Sequence, residues 1–186
     1  MKIGVFVGSF DPVHKGHIII INYLLEKYLD KVIVVPTGNY WNKKNLTHIY
    51  HRINMLKIYQ NEKIIIDEEN NELEYTYEVL DSLNKKYKED ELYLIIGADN
   101  IVSFDKWVNY QKLLNYNLII INRSDINIKY YLNKMNKNDK YIITDELANI
   151  NISSTFVREN IKNIININDK IDKDVIKYIK DNNLYI

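Results

Sequence analysis

Two histidines stand where a small-residue loop runs into a helix, in the block Gly8-Ser9-Phe10-Asp11-Pro12-Val13-His14-Lys15-Gly16-His17. The block follows one apolar run, Ile3-Gly4-Val5-Phe6-Val7, and precedes another, Ile18-Ile19-Ile20-Ile21. That order predicts strand, tight loop and helix. A helix start turns unpaired N–H groups and the positive end of the helix dipole toward whatever sits before it, so it favours an anion. His14 and His17 can each donate a ring N–H to a phosphate oxygen. The chemistry such a loop suits is phosphoryl or nucleotidyl transfer. Taken singly, each part has an ordinary use: a histidine can cap a helix, Gly8 and Gly16 can serve turns, and Asp-Pro is a common turn dipeptide. The uninterrupted block carries the reading, not its parts.

A second candidate lies near the other end of the chain. Ser153-Ser154-Thr155 should open a helix, with Arg158 one turn later on the same face. An N-cap with a surface arginine would account for it. So would a second phosphate cradle made of hydroxyls, helix N–H groups and a guanidinium fork. The chain has no cysteine, which excludes disulfides, thiolate nucleophiles and cysteine-type zinc sites. No Ser-His-Asp arrangement is visible either.

The elements that must hold these residues follow from the apolar runs. Val32-Ile33-Val34-Val35, Ile64-Ile65-Ile66, Leu92-Tyr93-Leu94-Ile95-Ile96, Leu118-Ile119-Ile120-Ile121 and Tyr141-Ile142-Ile143-Thr144 read as strands after the first. They are continuous rather than alternating, as in strands buried on both faces. Helical spacing fills residues 50–59, 76–87, 155–165 and 172–181, and 18–26 continue the first helix. Residues 133–140 read as a solvated loop, and 166–172 as a link that could move. The predicted fold is α/β: a doubly wound, Rossmann-like, mostly parallel sheet with helices on both faces. A small helical extension covers about 153–186, and residues 1–186 are read as one domain. In such sheets ligands bind beyond the carboxyl ends of the strands. Gly8–His17, 36–44, Gly97-Ala98-Asp99, Arg123 and 152–158 all fall at such ends.

Lys+Arg and Asp+Glu balance at 25 each, which argues against a protein that coats nucleic acid or an anionic membrane. No signal-type segment or membrane-length apolar run is seen. A cytoplasmic enzyme with a small anionic substrate is the expectation. Oligomeric state is left open, a homo-oligomer included.

The block Gly-x-Phe-Asp-Pro-x-His-x-Gly-His resembles the HxGH signature of the nucleotidyltransferase superfamily. Ile152-Ser153-Ser154-Thr155-Phe156-Val157-Arg158 resembles the ISSTxxR element of nicotinate and nicotinamide mononucleotide adenylyltransferases. Residues 36–44 are similar to the bacterial loop centred on Pro-Pro-His-Lys, with Tyr40-Trp41-Asn42 replacing Pro-Pro-His and Lys43 kept. Glu74-Tyr75-Thr76-Tyr77-Glu78-Val79-Leu80 resembles the Ser-Tyr-Thr-x-Asp-Thr-Leu segment. Gly97-Ala98-Asp99-Asn100 with Trp107 resembles the Gly-Ala-Asp…Trp stretch, where Val108 stands in place of a frequent Tyr. The end of the chain, Val175 to Tyr185, is similar too.

This resemblance implies transfer of the adenylyl group of ATP to nicotinate mononucleotide, giving nicotinate adenine dinucleotide and pyrophosphate by direct displacement. It implies an ATP site of Gly8, Ser9, Phe10, His14, His17, Ser153, Ser154, Thr155 and Arg158. His14, His17 and Arg158 would carry the catalysis. Lys43, Thr76, Gly97, Asp99, Trp107 and Val108 would hold the acceptor. Mg²⁺ would arrive on the triphosphate, with no dedicated protein metal cage. Backbone N–H groups such as those of Thr76 and Val108 would favour the acid over the amide. The alternatives are nicotinamide mononucleotide as acceptor, a phosphopantetheine adenylyltransferase, or a non-catalytic nucleotide-binding module.

Overall fold

A computed structural model describes residues 1–38, 46–122, 126–147, 152–162 and 164–185. Lys43, the Tyr40-Trp41-Asn42 stretch and Arg123 lie outside the described residues. Six strands form one sheet: β1 (Lys2–Gly8), β2 (Lys31–Pro36), β3 (Ile64–Ile66), β4 (Glu91–Gly97), β5 (Asn117–Ile121) and β6 (Tyr141–Thr144). Their order is β3-β2-β1-β4-β5-β6, and every neighbouring pair is parallel. The chain winds from β1 out to β3, then crosses back to β4 on the other side of β1. The crevice between the ends of β1 and β4 is therefore the topological switch point, where ligands bind in doubly wound sheets.

Continuous apolar strands are what such a sheet needs, because alternate residues face opposite layers. Val32 and Val34 pack on one face, while Ile33 and Val35 pack on the other. The first face is covered by α1 (Lys15–Lys27), α2 (Ile49–Lys57) and the C-terminal helices α7 (Ser154–Asn160), α8 (Ile164–Ile167) and α9 (Lys173–Asp181). The second is covered by α3 (Thr76–Lys86), α4 (Ala98–Ile101), α5 (Tyr110–Leu113) and α6 (Ile128–Lys134). The Ile-rich run 18–21 is helical, as its place after the loop predicts: Ile20 and Ile21 are buried and Ile19 is exposed.

Three expectations change. The helix read over 155–165 is two short helices, α7 and α8. The link 166–172 is anchored, because Ile167 and Ile171 are fully buried and the Lys15 N–H donates to the Lys170 carbonyl at 2.9 Å. The 133–140 stretch is only partly solvated. Met135 is buried, and Lys137 is buried with its Nζ donating to the carbonyls of Leu114 (2.7 Å) and Tyr116 (3.0 Å). A lysine-rich sequence hides such a residue, since only its contacts distinguish it from its solvated neighbours.

Candidate active site

The loop after β1 turns sharply at Phe10, whose φ of 47° lies in the left-handed region. A non-glycine residue there is strained and must be held by its surroundings. Its ring is buried, edge-on to Phe6 (5.4 Å between centroids) and to His17 (4.9 Å). A Cβ at Gly8 would meet that ring at 3.2 Å, so the close approach favours glycine. The aromatic cluster thus fixes both the loop and the histidine beyond it.

His14 caps α1 and His17 is its third residue. Their rings stack at 3.7 Å with 21° between planes. The His14 backbone N–H donates to His17 Nδ1 at 3.2 Å. A neutral ring that accepts at Nδ1 carries its proton on Nε2, so His17 presents an Nε2–H donor. Gly16, between them, is buried within α1.

The second motif meets the first, although they are far apart in sequence. Ser153 caps α7, accepting from the Phe156 N–H at 3.1 Å. Ser154 Oγ donates to the Pro12 carbonyl at 2.9 Å. Arg158 donates from Nη1 to the Asp11 carbonyl at 2.6 Å and from Nη2 to Thr155 Oγ1 at 3.2 Å. Ser154 and Arg158 are thus tied to the histidine loop, which puts both proposed phosphate elements at one place. The Ser153 hydroxyl makes the helix cap and the Ser154 hydroxyl the tie to the loop, so the element serves as a cap and as an anchor at once.

Beside this loop, at the switch point, lies a cavity of about 340 Å³. Gly8 and Ser9 line it from β1, Gly97 and Asn100 from β4 and α4, and Thr76, Trp107 and Val108 from α3 and the segment after a 3-10 turn. Thr76 is the first residue of α3, so its N–H is one of the donors a helix leaves without an intrahelical partner. Trp107 is half-buried, its ring 5.0 Å from that of Phe104. Val108, also on the cavity wall, is 40% exposed. Asp99 is exposed and is not among the lining residues; its neighbour Asn100 is. The histidines and Arg158 lie outside the cavity wall, and Gly8 and Ser9 are where the two parts meet. Among the described residues no group of three His, Asp or Glu could hold a metal ion. Nor is any described helix long and apolar enough to cross a membrane.

Sequence reasoning overlooked three residues here. Asp11 reads as a turn residue, yet it is 2% exposed with its carboxylate taking the Thr47 N–H at 3.1 Å and the Tyr185 hydroxyl. Arg52 is fully buried and donates to the carbonyls of Ser9 (2.7 Å) and Thr47 (2.8 Å). Burial holds its pKa below the usual arginine value, and the nearby Asp11 opposes that. A signal for Arg52 was available: it shares the buried face of α2 with Met55 and Leu56, where a cation has no business unless it is bound. For Tyr185 there was none in the spacing.

Comparison with known proteins shows the family to which the chain belongs. The cytidylyltransferase-like family model matches residues 5–160. A protein of Borrelia garinii subsp. bavariensis named "Probable nicotinate-nucleotide adenylyltransferase" is 36% identical, covering 100% of this chain and 95% of its own length. One of the same name from Clostridium perfringens is 35% identical, covering 99% and 98%. Among solved structures, Plasmodium falciparum nicotinic acid mononucleotide adenylyltransferase complexed with NaAD superposes with a TM-score of 0.81 at 29% identity, covering 99% of this chain and 97% of that one.

Proposed function

Since the chain belongs to the cytidylyltransferase-like family and, by its full-length likeness, to the nicotinate-nucleotide adenylyltransferases, we propose that it joins ATP and nicotinate mononucleotide into nicotinate adenine dinucleotide. The acceptor's phosphate oxygen attacks the α-phosphorus of ATP. The bond from that phosphorus to the oxygen bridging to the β-phosphorus breaks, and pyrophosphate leaves. The nucleophile is already ionised, so no general base is required. Catalysis reduces to alignment and to stabilising charge on the leaving oxygens.

The observation that carries this reading is the union of the two motifs. Arg158 and Ser154 bond to the backbone of the loop that ends in the stacked histidines, next to a cavity roomy enough for a nucleotide head. His17 Nε2–H and His14 face the α-phosphate and the bridging oxygen. Arg158, with Ser153 and Thr155, holds the β and γ phosphates, and Gly8, Ser9 and Phe10 form the wall against which the nucleotide lies. Mg²⁺ enters as part of the MgATP substrate. Trp107 stacks on the pyridine ring, Thr76 and Val108 N–H groups meet its carboxylate, and Gly97 lets the sheet end approach the ribose. Lys43 and Asp99 complete the acceptor set, Asp99 from outside the cavity wall. The setting is cytoplasmic NAD biosynthesis.

Pyrophosphate release measured with ATP and a panel of acceptors tests the proposal. Nicotinate mononucleotide should be preferred in kcat/KM over nicotinamide mononucleotide and phosphopantetheine. Comparable efficiency with the amide would defeat the backbone-donor argument. Turnover with phosphopantetheine alone would move the chain to another branch.

A further inference from the structure

The last turn of the chain reaches the catalytic loop. After α9, Asn183 (φ 50°) and Tyr185 (φ 60°) take left-handed conformations, and the Leu184 N–H returns to the Ile179 carbonyl at 3.0 Å. This bend aims the Tyr185 hydroxyl at Asp11 Oδ1, 2.5 Å away. Tyr178, on α9 itself, is tied to α2 through His51 Nδ1 (3.0 Å) and Asn54 Nδ2 (3.1 Å). The tail is therefore seated from a fixed helix.

Asp11 is where four segments converge. Its Oδ1 takes the Tyr185 hydroxyl and its Oδ2 the Thr47 N–H, just after the acceptor-side loop. Its carbonyl takes Arg158, and the Ser9 carbonyl, two residues earlier, takes Arg52. Phe10, between them, sits in the strained turn and packs on the His17 ring. A buried carboxylate is a poor way to add stability, because desolvation offsets much of what its bonds return. It is a good way to fix direction, because each oxygen must meet its donor. Burial and the bond to Asp11 hold the Tyr185 hydroxyl protonated across the neutral range, so it is a constant donor.

We infer that Tyr185 is a positioning residue: through Asp11 it sets the loop that carries His14 and His17 and the carbonyl on which Arg158 rests. The inference builds on the function proposed above. Without the hydroxyl, Asp11 Oδ1 loses its donor, the carboxylate turns, and the Phe10 turn relaxes against His17. The acceptor cavity is lined by other residues and should change little.

The test is Tyr185→Phe in the full chain, with three measurements: steady-state kinetics, melting temperature, and the NMR resonances of the His14 and His17 imidazoles without substrate. A displaced reacting group can cost about 10- to 100-fold in kcat. The expected result is a loss of that order, an acceptor KM within about twofold, a parental melting temperature and shifted imidazole resonances. Asp11→Asn should lower kcat likewise, and the double variant should be no worse than the poorer single one. A parental kcat overturns the inference, whatever the resonances do. So does a loss of kcat fully accounted for by unfolded protein. Should the unmutated chain fail to make the dinucleotide, the proposed function falls. The imidazole resonances then decide alone, a shift supporting the role of Tyr185 and no shift overturning it.

Discussion

His17 has two jobs that one substitution can separate. Its Nδ1 accepts the His14 N–H at 3.2 Å, which caps α1. Its Nε2–H is the donor assigned to the phosphate. His17→Ala removes both and also takes away the ring stacked on His14 at 3.7 Å and set edge-on to Phe10 at 4.9 Å. The lost cap should cost about 1 kcal/mol and the lost ring contact about the same. Together that is a melting temperature lower by about 4–8 °C for a chain of this size. His17→Asn is the sharper probe. Its side-chain oxygen can take the place of Nδ1 and keep the cap, but it is too short to place a donor where Nε2–H stands. We expect a melting temperature within about 2 °C of the parent, the equivalent of about 0.5 kcal/mol. Turnover should fall about 10²- to 10³-fold, or about 2.7–4 kcal/mol, as for loss of one transition-state donor. ATP binding, followed by calorimetry, should weaken far less, since the donor acts mainly on charge that develops later. The assay is pyrophosphate release under saturating ATP and nicotinate mononucleotide, with thermal unfolding in parallel. Parental turnover by His17→Asn would show that His17 is a cap and nothing more.

Arg158→Lys keeps the charge but loses the fork that now spans the Asp11 carbonyl and Thr155; ATP affinity should fall about tenfold or more, the worth of one charge-assisted bond, while calorimetry finds binding of the mononucleotide alone unchanged. Equal weakening of both ligands would refute the assignment to the triphosphate. Trp107→Ala should raise KM for both the acid and the amide acceptor by about tenfold, within the range for an aromatic stack, and leave their ratio unaltered; a changed ratio would make the ring a selector rather than a platform. Arg52→Met strips donors from the Ser9 and Thr47 carbonyls and a cation from beside Asp11. It should lower stability by about 3 kcal/mol, read as a shifted urea midpoint, and a midpoint equal to the parent's would show that the buried guanidinium is dispensable.

The fold was legible because its signal is long-range and redundant. Six continuous apolar runs read as strands of a sheet covered on both faces, and all six stand where the runs predict, the two shortest, β3 and β6, at its edges. What escaped were short elements whose helicity is set by their neighbours. The segments at 98–101 and 110–113 span a single turn each, too few residues for a period to show. Their place is dictated by Ala98, Ile101 and Leu113, which pack under the sheet rather than along a stripe of their own.

The candidate site was legible in its donors and not in what holds them. His14, His17, Arg158, Thr76 and Trp107 belong to residue types whose chemistry shows without a structure, and the topology alone brings most of them to one end of the sheet. Asp11, Arg52 and Tyr185 do their work through side-chain bonds of which the longest span 36, 43 and 174 residues of sequence. Nothing local marks such a bond. An aspartate before proline is a turn residue until its carboxylate is found under a tyrosine from the far end of the chain. The asymmetry has a physical basis: a group that meets a substrate must differ chemically from its neighbours. A group that orients another need only be in the right place, and place is a property of the folded chain. Asp99 is the converse case, a motif residue whose type fits the site but whose side chain is exposed outside the cavity that Asn100 lines.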